Sequence, residues 1–258
     1  MARFDGMVAI VSGATGGFGR RTAERLAEEG AALVLTDLKA EPLEALAREI
    51  PGDVATLAGD ITDETLSEKL VALAVDRFGG LDITINNAGI AQSFVRLPLV
   101  HSDEARRILD IDVMGVFYAM KAQIPAMERQ HRASGRKGAI VNIASVAGVA
   151  GAPRLAVYSA AKHAVVGMTR SAAAEYATKG VRINAVCPSF ARTNMALDFL
   201  KMSSAGVEAA AADLTRGVPM KRLAEIDEIV TVILFACDPG NTFMTGQTLG
   251  ADGGITAV

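Results

Sequence analysis

The sequence predicts an α/β fold, a doubly wound parallel sheet of about seven strands with helices on both faces, from three observations. Short β-branched runs alternate with longer helical patterns along the whole length. Most of the short runs are continuously apolar instead of alternating, as strands buried on both faces are. The apolar content is 50% with 5% aromatics, no Trp and 25 Gly, so small and branched side chains dominate and suit thin, closely packed layers. This composition excludes a disordered chain, a collagen-like chain and a small disulfide scaffold.

In chain order, strands are expected at 7–11 (MVAIV), 32–36 (ALVLT), 54–58 (VATLA), 82–86 (DITIN), 139–144 (AIVNIA), 181–186 (VRINAV) and 247–251 (QTLGA). Helical patterns fill the gaps at about 18–29, 41–49, 63–78, 103–130, 157–178 and 225–236. Gly30, Gly79, Gly80 and Gly180 stand where left-handed caps end helices. Strand–helix–strand repetition implies right-handed crossovers within one sheet. With no linker composition and no repeat, residues 1–258 read as one domain. A substrate loop or lid is expected as an insertion at about 188–220, where no strand pattern appears.

Lys plus Arg number 26 against 29 Asp plus Glu, a formal net charge of −3, so no nucleic-acid partner is expected. The one basic run, Arg129, His131, Arg132, Arg136 and Lys137, lies beside Ser134 and Gly135 and reads as a solvated loop. Cys187 and Cys237 sit in apolar runs without CxxC spacing and read as buried small hydrophobes. His101, His131 and His163 lack metal-ligand spacing, so no metal is expected. The N-terminal apolar run is too short for a signal peptide, and 229–237 is too short to span a bilayer. A cytoplasmic protein without a membrane partner is the expectation.

The first strand runs into Ser12-Gly13-Ala14-Thr15-Gly16-Gly17-Phe18-Gly19 and then a helix. Glycines there let the backbone turn sharply and bring a pyrophosphate to the helix N-terminus, whose free N–H groups attract the anion. The spacing is G-x-x-x-G-x-G, and no Lys-Ser/Thr pair follows, so a P-loop is excluded. Taken alone, the glycines also suit a tight packing turn. Asp37 ends the second strand, where a carboxylate can accept from both ribose hydroxyls and repel a 2′-phosphate, so NAD is expected over NADP. A helix N-cap is the other reading of Asp37, and Lys39 nearby weakens the preference.

Tyr158 and Lys162 are four apart on one helical face. An ammonium beside a phenol favours the phenolate, which a general base at neutral pH requires. Ser145 precedes Tyr158 by 13 residues, at the end of the fifth strand, where parallel sheets carry their sites.

Taken together, these motifs resemble the short-chain dehydrogenase/reductase family over essentially the whole chain. The family's other marks follow in order: Asp60-Ile61, Asn86-Asn87-Ala88-Gly89, Pro188 with Thr193, and Gly246 with Asp252-Gly253-Gly254. The resemblance implies a Rossmann-like dinucleotide-binding catalytic domain. In it Tyr158 is the general acid/base, Lys162 binds the ribose and draws Tyr158 toward phenolate, and Ser145 orients the substrate oxygen. It also implies a cofactor turn of Gly13, Thr15, Gly17, Phe18 and Gly19, with Asp37 at the ribose. Asp60 and Ile61 would flank the adenine, Asn87, Ala88 and Gly89 would border the adenosine ribose, and Pro188 with Thr193 would lie toward the carboxamide.

Two departures stand out. Asp112, in DVMGVF, replaces the Asn that family members carry to anchor a water in the relay to the Lys, and Ser189 replaces the usual Gly after Pro188. Asp112 is therefore read as a catalytic residue that brings a negative charge near Lys162 and alters the pH profile.

Family substrate walls fall here on Ala91, Gln92, Phe94, Ala147, Val149, Pro153, Leu155, Phe190, Met195, Leu197, Phe199 and Met202. Apart from Gln92 and Arg154 they offer no polar or charged anchor. A mostly apolar secondary alcohol or ketone, cyclic ones included, is expected. The helix 160–177 (AAKHAVVGMTRSAAAEYA) has few residues suited to water, so a symmetric homo-oligomer using it is expected, a tetramer by the resemblance. Rival readings are an NADPH-dependent 3-oxoacyl-carrier-protein reductase, which Asp37 opposes, and a non-catalytic cofactor-binding regulator, which the retained Ser145, Tyr158 and Lys162 oppose.

Overall fold

The computed structural model describes residues 2–193, 196–197 and 206–258. Its seven strands are β1 (Val8–Ser12), β2 (Ala32–Thr36), β3 (Val54–Thr56), β4 (Ile83–Asn86), β5 (Gly138–Ile143), β6 (Val181–Pro188) and β7 (Thr248–Ala251). They form one sheet in the order β3-β2-β1-β4-β5-β6-β7, with every pairing parallel. The order reverses between β1 and β4, so a crevice opens there at the carboxyl ends of the strands.

Helices α1 (Gly17–Glu28), α2 (Ala40–Glu49), α3 (Glu64–Phe78), α4 (Ser102–Leu109), α5 (Gly115–Ser134), α6 (Ala156–Tyr176), α7 (Val207–Leu214) and α8 (Ile226–Cys237) follow. The continuous apolar strands have a physical reason. In β1, Ala9 and Val11 pack with Leu26, Leu43 and Ile233 of α1, α2 and α8. Val8 and Ile10 pack with Leu70, Met127 and Val165 of α3, α5 and α6 on the opposite face. Each fully buried Leu or Ile contributes roughly 1.5–3 kcal/mol.

The single helix expected over 103–130 is two, α4 and α5, joined by a π-helical turn at Asp110–Met114. Such turns are local and carry no periodicity signal of their own, and they recur at functional sites. The expected left-handed caps hold at Gly30, Gly79 and Gly180. They do not hold at Gly80, where a Cβ would meet the Gln130 and Arg136 side chains.

Buried polar residues fix how the layers meet. Asn86 donates to Asn142 Oδ1 (2.8 Å), Gln123 donates to Asn86 Oδ1 (2.9 Å), and Asn142 donates to Thr169 Oγ1 (2.9 Å), which ties β4 and β5 to α5 and α6. At the amino end of the sheet Val8 N donates to buried Asp82 (2.7 Å), whose carboxylate also pairs with Arg136.

Candidate active site

The Gly-rich turn enters α1 with Gly13 at φ 62°, where only glycine is unstrained and where a Cβ would lie 2.9 Å from Ala88 Cα. The N-cap Gly16 offers no side-chain acceptor and the first turn of α1 carries no acidic residue, so its N–H groups suit an anion. Ser12 Oγ accepts from Asn87 N (3.1 Å) and Ala88 N (3.2 Å), and Asn87 Nδ2 donates to Ser12 O and Gly13 O. The loop after β4 is thereby locked to the loop after β1.

Asp37 at the end of β2 has most of its acceptor capacity in use. Its Oδ2 accepts from Thr15 N (2.9 Å) and Thr15 Oγ1 (2.6 Å), and its Oδ1 accepts from Leu38 N (2.7 Å). Three of roughly four lone-pair positions are filled, so the expected acceptance from both ribose hydroxyls needs Thr15 Oγ1 to turn away.

Tyr158 and Lys162 stand on the first turns of α6. Lys162 Nζ lies 5.4 Å from the Tyr158 ring centroid, donates to Ile143 O (3.2 Å) and lies 3.1 Å from Asp112 Oδ2. Asp112 is fully buried and its Oδ1 accepts from Ile90 N (2.8 Å). Among the described residues no N–H or O–H makes a directed hydrogen bond to Asp112 Oδ2, so the contact with Lys162 is what compensates its burial. Burial by itself lowers the Lys162 pKa, yet the facing Tyr158 and Asp112 more than offset it and hold the ammonium above the usual lysine range. Ser145, after β5, caps a single 3₁₀ turn, its Oγ accepting from Ala147 N (3.1 Å).

Ser145, Tyr158, Lys162 and Asp112 border one cavity of about 1110 Å³ that runs back to the Gly-rich turn. Gly13, Thr15, Gly17, Phe18, Asp37, Asp60, Ile61, Asn87, Ala88, Gly89, Pro188 and Thr193 border it too. Gly19 does not. It is a packing glycine, since a Cβ there would collide with the Gly13 carbonyl oxygen and lie 2.7 Å from Asn87 Nδ2. The open N–H groups of α1, the glycine cradle and the acceptor at Asp37 fit a dinucleotide.

The model of the family described as enoyl-(acyl carrier protein) reductase matches residues 13–256. The chain belongs to the short-chain dehydrogenase/reductase family. It is 40% identical over 258 residues to 2,5-dichloro-2,5-cyclohexadiene-1,4-diol dehydrogenase of Sphingobium indicum, covering 100% of both chains. A solved structure of levodione reductase superimposes with a TM-score of 0.93 at 34% identity, covering 99% of this chain and 100% of that one. A structure of ElxO with NADP bound gives 0.89 at 27%, covering 100% of each. As a short-chain dehydrogenase/reductase the protein is an oxidoreductase acting on CH–OH groups with a nicotinamide cofactor.

Among the expected substrate walls, Ala91, Gln92, Phe94, Ala147, Leu155 and Phe190 border the cavity of this reductase-family site. Val149, Pro153, Arg154 and Leu197 do not, and Val149 is 40% exposed. Pro153 and Arg154 are exposed, between Ala152 and Leu155 that border the cavity, and Arg154 stands at φ 70°. Met195, Phe199 and Met202 lie outside the described residues. Ile111, Met114, Tyr118, Ala196 and Leu214 border the cavity as well, as do the charged Asp103, Arg106, Arg107 and Asp110, none of which the family pattern marks as a wall. The first three come from the π-turn and α5, an element the periodicity did not separate. No helix of the described residues is long and apolar enough to cross a membrane, and no group of three or more His, Cys, Asp or Glu among them could hold a metal ion.

Proposed function

We propose that the protein is an NAD-dependent dehydrogenase and ketone reductase for mostly apolar, ring-bearing secondary alcohols. The observation that carries this reading is the meeting of Ser145, Tyr158 and Lys162 on a cavity walled by Phe94, Ala147, Leu155, Phe190 and Leu214. When bound, the nicotinamide cofactor accepts or supplies the hydride. Ser145 Oγ holds the substrate oxygen by a hydrogen bond. Tyr158 takes the alcohol proton in oxidation and returns it to the carbonyl oxygen in reduction. The Lys162 ammonium faces the Tyr158 ring and would hold the cofactor ribose, while Asp112 fixes where that ammonium sits.

Preference for NAD rests on the Asp37 carboxylate, which repels a 2′-phosphate. The membership of all seven strands in one sheet supports reading residues 1–258 as one catalytic domain. A homotetramer is part of the proposal. It is supported by an exposed stripe on α6 of Ala160, His163, Gly167, Arg170, Ser171 and Ala174, mostly small side chains that allow another helix to approach closely. Free, buried Cys187 and Cys237 agree with a reducing cytoplasm.

The test is a panel of cyclic and open-chain secondary alcohols with NAD and NADP in parallel, followed by absorbance, with Tyr158→Phe as control. We expect turnover of ring alcohols with NAD at least about tenfold above NADP, and a loss of about 10² or more in the variant. Equal rates for wild type and variant, or activity confined to NADPH with a 3-oxoacyl thioester, would overturn the reading.

A further inference from the structure

Gln92 was expected to offer a polar group to the substrate, but its amide is committed to the backbone of α6. Its Oε1 accepts from Val157 N (2.9 Å) and Tyr158 N (3.0 Å), and its Nε2 donates to Arg154 O (3.1 Å). The side chain is buried, 5% exposed. Only one orientation of the amide satisfies two donors and one acceptor, so the group is keyed in place.

The first turn of a helix has N–H groups without intrahelical partners and is where helices fray. In α6 the N-cap Leu155 supplies no side-chain acceptor. Tyr158 is the third residue of that helix, so the phenol stands on its least anchored turn. The acceptor that completes the turn comes from a loop more than 60 residues earlier in the chain. The same loop is held at two further points. Ile90 N donates to Asp112 Oδ1 (2.8 Å), and Ser93 N donates to Glu104 of α4 (2.6 Å). Residues 90–93 therefore span from the Asp112–Lys162 pair to the backbone of Tyr158.

We propose that Gln92 is a positioning residue for the reaction. It acts as a cap supplied from outside the helix, and it sets the place of Tyr158 relative to Lys162 and Ser145. The proposal rests on the reading of Tyr158 as acid/base. Because misplacement of a reacting group by about 1 Å can cost 10²-fold in rate, loss of the cap should appear in kcat before it appears in binding.

The experiment compares Gln92→Leu, Gln92→Asn and Gln92→Glu with wild type and Tyr158→Phe. It measures kcat, KM for the alcohol and cofactor dissociation by fluorescence titration. Leu removes the acceptor, and Asn is too short by one methylene to reach the helix. Glu keeps the acceptor for both N–H groups at a helix N-terminus but loses the donor to Arg154 O, so it isolates the acceptor's share. We expect kcat to fall roughly 10- to 100-fold in the Leu and Asn variants, with cofactor affinity within about threefold of wild type. Gln92→Glu should keep kcat above that of the Leu and Asn variants. Should the Leu variant fail to fold, the Asn and Glu pair carries the comparison. Wild-type kcat in the Asn variant, or equal impairment of Asn and Glu, overturns the proposal. An active Tyr158→Phe would instead sink the acid–base reading itself and this proposal with it.

Discussion

Asp112 Oδ2 lies 3.1 Å from Lys162 Nζ, and the two residues are 0% and 4% exposed. Burying an ammonium carries a large desolvation cost, which for Lys162 is offset first by the facing Tyr158 and then by Asp112. Asp112→Asn removes the negative charge and leaves the Lys162 cation to act on Tyr158 without that offset. Activity should persist, and the pH profile of kcat/KM for alcohol oxidation should move to lower pH. A pH–rate curve unmoved by the substitution would contradict this role. The sign for stability is separate. Lys162 has a raised folded-state pKa, so its contribution is complete below the ordinary lysine pKa and is lost as pH rises through the raised value. Thermal melts of the wild type should show that loss only above about pH 10.

Gly19 is constrained by space. An alanine there would drive its methyl into the Gly13 carbonyl oxygen and against Asn87 Nδ2, forcing α1 away from the turn. Overpacking of this kind costs about 1–3 kcal/mol. Gly19→Ala should lower the denaturation midpoint accordingly and weaken dinucleotide binding at least about tenfold. Gly151→Ala, with nothing within 4 Å of its Cβ, is the control and should do neither. Unchanged titration of the dinucleotide into Gly19→Ala would rule out the packing account.

Both thiols are shielded. Burial pushes Cys187 up to about 11 and Cys237 up to about 12, so almost no thiolate is present near neutral pH. Iodoacetamide at pH 8 should label neither cysteine in the folded protein and both after denaturation, as mass spectrometry can count. Labelling of either in the native state at the rate of a free thiol would contradict the burial.

The sheet was legible because its signal is local and repeated. ALVLT and DITIN announce doubly covered strands without reference to anything distant. Ser145, Tyr158 and Lys162 were legible because strand ends and a four-residue helical spacing fix their neighbourhood. Other features depend on partners far along the chain. Nothing near Gln92 signals that its amide meets Val157 and Tyr158, 65 and 66 residues on. The π-turn that carries Asp112 inward reads as ordinary helix in the sequence, because one wider turn barely disturbs the apolar period. Spacing alone does not tell a glycine that faces a ligand from one, like Gly19, whose missing Cβ leaves room for a carbonyl.

The strand order also bears on biosynthesis. β1 is flanked by β2 and β4, and Val8 must find Asp82, 74 residues later, before its second edge is covered. The helix bearing Tyr158 leaves the ribosome only after all but two strands of the sheet. A nascent chain therefore holds an open, apolar strand edge for much of its translation, a period of several seconds at roughly 5–20 residues per second.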